Sequence, residues 1–484
     1  MPSAASQQAS DPRLFQCLCH SSAFSRFYRR LDDGLSRRTF LAGSAAVGAS
    51  TVLPKAAQAQ TPAPASPIAF INVQVFDGVS NTLRSGLTVV VEGNKIQSVR
   101  PAGTAPDAGV KLIDGGGRTL MPGLIDAHTH LMFASVPQLA LLTADIGFVN
   151  IAASKEATDT LMRGFTSVRD MGGPVFGLKR AIDSGLVPGP RIWPSGAFVS
   201  QSGGHGDFRL PTDIPARPDD YGYAERIGAS AIADDPDTVR KRVREQLAIG
   251  ASQIKLMGGG GVSSNMDPLD VTQYSVPELR AAVEAAENWG TYVAVHAYTP
   301  RAVRQCLDAG VRSIEHGQLL DEATVKLMAE KGVCWSLQPF LDDEDAIPFP
   351  AGSANRAKQL QMTQGTDNAY MLAKKYKLKT AWGTDTLFDA KLARRQGAQL
   401  AKLVRWYSAA ETLKMATSTN AEVLAMSGLR SPYPGKLGVI EEGALADILL
   451  VDGDPIANIQ LLADPEKNLL LVMKDGVVYK NHLG

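Results

Sequence analysis

The feature that most constrains the fold of this 484-residue chain is an alternation of short β-rich runs and helical patterns along its middle. Eight apolar runs have the composition of buried strands: LMPGLIDAHTHL, TSVRDM, RIWPSG, ASQIKLM, TYVAVHAY, RSIEHG, VCWSLQ and KTAWGTD. Amphipathic segments such as VPELRAAVEAAENWG lie between most of them. Because strands that alternate with helices form parallel sheets, the pattern predicts an α/β fold with a (β/α)8 TIM barrel over residues 120–429.

The two ends of the chain that flank this region have a different pattern. Apolar and polar residues alternate around a Gly93-Asn94 turn near the start, and again around an Asp475-Gly476 turn near the end. Such alternation is typical of antiparallel hairpins. We therefore expect one small β-sandwich domain, formed by residues 61–119 together with residues 430–484.

The first sixty residues read as an export signal rather than as part of the fold. A paired Arg37-Arg38 precedes a weakly apolar run and an Ala57-Gln58-Ala59 box. This order predicts a twin-arginine signal over residues 1–60, with cleavage near Ala59 and a periplasmic or secreted product. The apolar run is too short to span a membrane. A mildly hydrophobic surface helix is the alternative, but it does not explain the terminal box.

Charge gives no reason to expect a polyanionic partner. Lys and Arg total 49, Asp and Glu also total 49, and the formal net charge is zero. A balanced chain offers no electrostatic attraction to nucleic acid or to an anionic membrane surface. We therefore expect a small-molecule substrate and neither of those partners.

Polar residues interrupt the apolar runs at their carboxyl ends. In chain order they are His128, His130, Lys255, His296, His316 and Asp385. All strand carboxyl ends of a barrel open onto one face, so these side chains should converge there. Each alone has a structural alternative: a hydrogen-bonded histidine, a lysine with an exposed ammonium, or a helix cap. Four of the six histidines after residue 60 belong to the set, which favours a metal site.

The residue types suit divalent metal ions. His128 and His130 are two positions apart on a strand, so both point to one side. Imidazole and carboxylate are ligands for Zn²⁺ and similar ions. A lysine ammonium has no lone pair, but a buried Lys255 should be neutral, and a neutral amine can take up CO₂ to form a carbamate that bridges two cations.

These residues, together with several flanking segments, resemble the binuclear metal-dependent amidohydrolase superfamily. The flanking segments are VFDG, GNKIQSV, STNAEVLAMSGL and KLGVIEEGALADILLVDGDP. The resemblance implies one metal ion on His128, His130 and Asp385, and a second on His296 and His316. It also implies a bridging N6-carboxylysine at Lys255, a metal-bridging hydroxide that attacks the carbonyl, and Asp385 as the catalytic proton carrier. Members of the superfamily are often homo-oligomers, including octamers.

Two further segments resemble one branch of that superfamily, the Xaa-Pro dipeptidases and zinc carboxypeptidases, which includes ochratoxin A amidases. They are SGGHGD, in a long insertion at about residues 197–235 that should lie over the barrel mouth, and IKLMGGGG. The branch implies cleavage of a peptide-like amide beside a free α-carboxylate. Substrates would be dipeptides or N-acyl amino acids with an apolar, aromatic or proline C-terminal residue, ochratoxin A included.

In this interpretation His205 contacts the substrate and takes part in catalysis, although a plain loop histidine explains it equally well. Tyr274 and Arg169 are candidate partners for the substrate carboxylate, and Arg169 could instead form a structural ion pair with Asp170. The Gly258–Gly261 run lacks the Gly-Lys-Ser/Thr of a P-loop. We expect it to be a rim loop whose backbone amides approach an anionic group.

Two other functions fit parts of the pattern. An imidazolonepropionase-like hydrolase of cyclic amides resembles the same superfamily, but those enzymes look mononuclear and lack the bridging lysine, so Lys255 argues against it. A non-catalytic binding protein with the amidohydrolase fold is the other. Such relatives typically lose metal ligands, whereas every ligand position is filled here.

Overall fold

The computed structural model describes residues 66–103, 109–214 and 220–483. The export signal predicted for residues 1–60 lies outside these ranges. Backbone contacts divide the chain into two units, Met1–Thr61 with Arg180–Val187, and Pro62–Lys179 with Pro188–Gly484. In the first unit only Arg180–Val187 is described, and it carries the end of one helix and a turn. The sheets and the candidate site belong to the second unit.

The described ranges contain eighteen strands and fifteen α-helices. The strands are β1 Ile68–Val75, β2 Arg84–Glu92, β3 Lys95–Pro101, β4 Lys111–Asp114, β5 Thr119–Pro122, β6 Leu124–Thr129, β7 Phe165–Asp170, β8 Arg191–Pro194, β9 Phe198–Ser200, β10 Ser230–Ile232, β11 Ile254–Met257, β12 Val293–Ala297, β13 Ser313–His316, β14 Cys334–Leu337, β15 Thr380–Trp382, β16 Ile448–Val451, β17 Leu469–Lys474 and β18 Val477–Asn481. The helices are α1 Gln138–Thr143, α2 Ile146–Met162, α3 Phe176–Asp183, α4 Tyr223–Arg226, α5 Pro236–Ala248, α6 Val276–Asn288, α7 Pro300–Ala309, α8 Glu322–Glu330, α9 Ala354–Thr363, α10 Thr366–Lys375, α11 Ala390–Arg394, α12 Gln396–Ala401, α13 Ala409–Lys414, α14 Asn420–Ala425 and α15 Pro465–Asn468.

Each of the eight apolar runs in the middle of the chain contains a strand, and these strands are parallel to their neighbours. They are β6, β7, β8 and β11 to β15, split between a three-stranded sheet and a seven-stranded sheet. Their residues are buried on both faces, as expected for strands covered by crossover helices. Two short strands of the insertion, β9 and β10, join the larger sheet and were not predicted.

Strand register brings the predicted ligands level with one another. In the larger sheet Met257 of β11 pairs with His296, and Ala297 of β12 pairs with His316. The carboxyl ends of these strands therefore open at the same edge.

Hydrogen bonds also join the end of β6 to the segment that follows β15. The Asp126 carboxylate accepts hydrogen bonds from the Thr384 hydroxyl at 2.8 Å and from the Thr384 amide at 3.2 Å. The amide of Asp385 donates to the carbonyl of His128 at 2.8 Å. The first and last predicted metal-ligand segments thus lie side by side.

Both ends of the chain contribute to a mixed eight-stranded sheet, in the order β18-β17-β16-β5-β1-β2-β3 with β4 paired to β1. Within the described residues these strands form one hydrogen-bonded sheet, whereas the sequence predicted a sandwich. One apolar cluster of the sheet includes Phe70, Val89, Ile96, Leu450 and Met473. The domain boundaries given above remain a prediction.

Helix signals in the sequence act as expected. Ser275 begins α6 with a capping box, in which its amide donates to the Glu278 carboxylate at 2.6 Å. Among the described helices, none combines the length and the apolar character that a membrane crossing requires.

Candidate active site

Five of the six predicted ligands line one cavity at the strand carboxyl ends: His130, Lys255, His296, His316 and Asp385. The sixth, His128, is completely buried, and its Nε2 lies 3.4 Å from Asp385 Oδ1. The structure therefore brings together residues that are separated by more than 250 positions in the sequence.

Asp385 is the centre of this group. Its Oδ1 lies 3.0 Å from His130 Nε2, and its Oδ2 lies 3.8 Å from His316 Nδ1. The candidate ligand atoms of His128, His316 and Asp385 all lie within 4.8 Å of one another. The His296 ring packs at 4.5 Å from the His316 ring. This spacing suits the coordination of metal ions by several side chains at once.

Hydrogen bonding around His128 favours a bound cation. Its Nδ1 lies 2.7 Å from Glu315 Oε2, so the neutral ring donates its proton there. Its buried Nε2 has no hydrogen-bond partner, and the lone pair on that nitrogen faces the carboxylate of Asp385. Two acceptors facing each other in a buried place repel, and a divalent cation between them removes the repulsion. The donor set therefore fits the metal that the sequence predicts.

Burial sets the protonation states of these ligands. It lowers the pKa of His128 to about 4 and lowers the pKa of His316 well below its usual range. Burial would raise the pKa of Asp385, but His128 and the other imidazoles hold it well below its usual range. Neutral imidazoles and an ionised carboxylate are the forms that bind metals.

A buried ion pair lies beneath the candidate metal ligands. The Arg169 guanidinium donates to both oxygens of Glu315, at 2.9 and 2.8 Å, and also to the carbonyl of Ala127 at 2.5 Å. Both side chains of the pair are fully buried. Glu315 in turn orients the ring of His128, as carboxylates do for metal-ligating histidines.

This placement corrects the expectation for Arg169. It does not line the cavity, and its partner is Glu315 rather than the substrate or Asp170. Sequence reasoning missed Glu315, although a signal for it exists. The carboxylate of Glu315 stands directly before His316 in the apolar run RSIEHG, so it needs a partner of opposite charge when it is buried. Arg169 offers that charge in another apolar run, TSVRDM.

Two of the predicted ligands have left-handed backbone conformations. The φ angle is 74° at His316 and 49° at Asp385, where non-glycine residues are uncommon. Because successive side chains of a strand point to opposite faces of the sheet, a regular strand would point His316 to the face opposite Glu315. The turn at His316 instead directs its ring into the cavity. Such conformations cost free energy and cluster at functional sites.

His205, from the insertion, lies beside the predicted second metal position. Its ring stacks on His296 with 4.1 Å between centroids, and its Nδ1 lies 2.8 Å from the Ser264 hydroxyl. Its amide donates to Gln273 at 2.9 Å. The ring lies over Gly261, where an added Cβ would come within 1.9 Å of it.

Three of the four glycines in the run Gly258–Gly261 do not have the role expected of their amides. The amides of Gly258, Gly260 and Gly261 already donate to the carbonyls of His296 and Val271 and to the carboxylate of Asp267. They are not available to a substrate anion. Gly261 instead provides the space that the His205 ring occupies.

We expect Gly261→Ala to lower kcat/KM by about 10- to 100-fold, because the new methyl displaces the His205 ring. Metal content should be unchanged, since no predicted ligand is removed. Gly177→Ala is a matched control, because nothing lies within 4 Å of a Cβ added there. Steady-state kinetics with metal analysis checks this, and full activity of Gly261→Ala would show that the position of His205 is not needed.

Tyr274 does not reach the cavity. It is 5% exposed, it is absent from the cavity lining, and its buried hydroxyl has no hydrogen-bond partner. The tyrosine that does line the cavity is Tyr298, whose ring packs at 5.0 Å from His296 and 5.3 Å from His316. Its position two residues after His296, in VAVHAY, is the signal that sequence reasoning passed over.

Sequence comparison places the whole site within one family match. The family described as "Amidohydrolase family" matches residues 119–479, and the twin-arginine translocation signal matches residues 34–54. The chain is 31% identical over 378 residues to an ochratoxinase of Aspergillus niger, a match that covers 75% of each chain. It is also 50% identical over 251 residues to an imidazolonepropionase of an Arthrobacter species, covering 50% of this chain and 53% of the relative.

Solved structures agree in fold. A prolidase crystallised with N-methylphosphonate-L-proline superposes with a TM-score of 0.78 at 35% identity, covering 86% of this chain and all of the other. The A. niger ochratoxinase structure has a TM-score of 0.73 at 25% identity, covering 86% and 96%. These similarities establish a TIM-barrel-like α/β fold.

Proposed function

This chain belongs to the amidohydrolase family and is a hydrolase of amide bonds exported by the twin-arginine route; from that premise we propose that it cleaves a peptide-like amide beside a free α-carboxylate. The substrates are dipeptides or N-acyl amino acids whose C-terminal residue is apolar, aromatic or proline, with ochratoxin A among the candidates. The observation that carries the proposal is that one cavity is lined by five of the six predicted metal ligands, by two side-chain donors, His205 and Tyr298, and by mainly apolar walls.

The chain's own side chains supply the metal positions. His128, His130 and Asp385 would hold one ion, His296 and His316 the other, and a carboxylated Lys255 would lie between them. Divalent ions bound there, Zn²⁺ being the best match to this donor set, supply a polarised and more acidic water together with Lewis acidity toward the carbonyl.

The remaining steps belong to protein groups. Asp385 is ionised, so it can accept a proton from the attacking water and then deliver it to the leaving amine nitrogen. The His205 imidazole faces the cavity and can orient the scissile carbonyl. Tyr298 lines the same cavity, and its hydroxyl can donate a hydrogen bond to the substrate carboxylate.

Carboxylation of Lys255 should depend on pH. Burial lowers the pKa of this 1%-exposed amine to about 8. Only the neutral amine reacts with CO₂, and its fraction falls about tenfold for each pH unit below the pKa. We expect metal-depleted protein to regain activity with metal and bicarbonate several-fold faster at pH 8.5 than at pH 7, at equal dissolved CO₂. A recovery rate independent of both pH and bicarbonate would argue against the carbamate.

A substrate panel tests the proposed function. Metal-loaded protein is incubated with dipeptides, N-acyl amino acids and ochratoxin A, each beside its C-terminal amide derivative, which lacks the free carboxylate. We expect turnover of the acids and a loss of about 10²-fold or more for the amides, because the donors meant for the carboxylate are left unpaired. Absence of turnover for every acid would overturn the proposal.

The imidazolonepropionase similarity keeps a cyclic-amide hydrolase as the alternative, and imidazolone propionate belongs in the same panel. Its exclusive turnover would favour that alternative, whereas a metal-loaded protein that binds amides without cleaving any would be a binding protein. We also expect a homo-oligomer, which light scattering of the purified protein can determine.

A further inference from the structure

We propose that the cavity has two separate apolar subsites, one for the acyl group and one for the C-terminal side chain, so that the preferred substrates carry a bulky apolar group on both sides of the amide. This inference rests on the proposed function and extends it to the residues that select the substrate.

The first subsite is an aromatic wall beside His130, which we call the acyl wall: Phe133, Phe198 and Phe208. The Phe198 ring lies 5.2 Å from the ring of His130, 6.1 Å from Phe133 and 5.5 Å from Phe208. All three rings line the cavity.

Glycines fix the acyl wall in place. A Cβ on Gly172 would come within 2.0 Å of the Phe198 ring, and one on Gly206 within 3.0 Å of the Phe198 Cβ. The wall is therefore a close-packed surface, suited to a flat apolar group.

The second subsite lies next to a different predicted ligand, His316, and we call it the side-chain wall: Val262, Phe340 and Met362. The Phe340 ring stacks 6.2 Å from the His316 ring. Val262, Met362 and Tyr298 belong to one apolar cluster, against which Phe340 packs. The two walls are thus made by different chain segments and pack beside different candidate metal ligands.

Polar donors decide which part of the substrate lies on which wall. Tyr298, whose hydroxyl is the proposed donor to the substrate carboxylate, packs within the same apolar cluster as Val262 and Met362. The acyl wall consists of phenylalanine alone and has no such donor. The substrate carboxylate therefore lies toward the side-chain wall, which places the C-terminal side chain there and the acyl group against the phenylalanines.

The charges nearby favour an apolar side chain over a basic one. Asp343 and Asp345 line the cavity near Phe340, but both are already neutralised. Asp343 pairs with Lys402 at 2.6 Å, and Asp345 pairs with Arg395 and Lys402. A cationic side chain would have to displace these pairs, so the wall offers no free carboxylate to it.

The test compares two walls with two substrate series in metal-loaded protein. The substrates are N-acetyl and N-2-naphthoyl derivatives of phenylalanine and alanine, together with N-acetylarginine. We expect the wild type to prefer naphthoyl over acetyl and phenylalanine over both alanine and arginine. Phe208→Ala should reduce the naphthoyl-to-acetyl ratio of kcat/KM by about tenfold and leave the phenylalanine-to-alanine ratio unchanged. Phe340→Ala should reduce the phenylalanine-to-alanine ratio by about tenfold and leave the naphthoyl-to-acetyl ratio unchanged.

Both phenylalanines are only partly buried, and Phe208→Leu and Phe340→Leu provide milder variants should either alanine variant misfold. Ile151→Ala, at a residue 74% exposed on α2, is the surface control. Three results would overturn the two-wall proposal alone. Each variant could change both ratios together, each variant could change the ratio expected of the other, or the wild type could prefer the arginine substrate. No turnover of any substrate by the wild type would overturn the proposed function as well.

Discussion

Asp385→Asn should lower kcat by about 10³-fold or more at saturating metal, the largest loss expected from any isosteric substitution in this chain. The asparagine keeps the shape of the side chain but removes the negative charge that faces His128, His130 and His316. It also removes the carboxylate that lies among the predicted ligands, where it can carry a proton between water and the leaving amine.

The measurement is kcat with the metal content of the same sample, so that a loss of metal is separated from a loss of proton transfer. Asp452→Asn is the matched control, because Asp452 is half exposed and pairs with Arg118 on the mixed sheet. An Asp385→Asn protein with wild-type kcat would remove this residue from the mechanism.

Glu315→Gln should be the most damaging single change that leaves all predicted metal ligands in place. It leaves the Arg169 guanidinium buried without a counter-charge, which typically costs about 3–5 kcal/mol of stability. It also weakens the hydrogen bond that orients His128, so we expect metal affinity to fall about 10- to 100-fold.

A double variant separates these two effects. Glu315→Gln with Arg169→Met removes both charges, and we expect it to recover much of the stability but not the metal affinity. Chemical denaturation of metal-free protein and competition with a chelator measure the two quantities. Glu330→Gln, at an exposed position on α8, is the control. Unchanged metal affinity in both Glu315 variants would contradict an orienting role for this carboxylate.

Local sequence patterns were sufficient to predict the strands and the set of candidate metal ligands. The apolar runs that contain β6, β11, β12 and β13 carry His near their carboxyl ends or contain Lys255, and parallel register then brings these ends together. That inference needs only strand periodicity and the geometry of parallel sheets.

Sequence reasoning failed where a role depends on a partner distant in the chain. Arg169 looked like a substrate contact because its partner, Glu315, is 146 positions away. Asp126 received no role, yet its carboxylate accepts hydrogen bonds from Thr384 and Gln396 and so positions the segment that carries Asp385. Buried polar networks of this kind are specified by packing, which no local period reveals.

The second reason why sequence-based predictions failed was local backbone conformation. Tyr274 followed the glycine run and looked available, but its φ of 62° and the hydrogen bond from its amide to Gln201 belong to a conformation that buries the ring away from the cavity. Tyr298, on a regular strand end, is the residue that lines it.

We propose that the predicted ligands around Asp385 would hold two divalent ions, with a carboxylated Lys255 between them. This proposal is tested most directly by counting metal ions per chain in purified wild type and in Lys255→Ala, with the exposed Lys331→Ala as control. We expect about two ions per chain in the wild type and the control, and clearly fewer, with little activity, in Lys255→Ala. A wild type that is active without bound metal, or a Lys255→Ala protein with full metal content and activity, would contradict it.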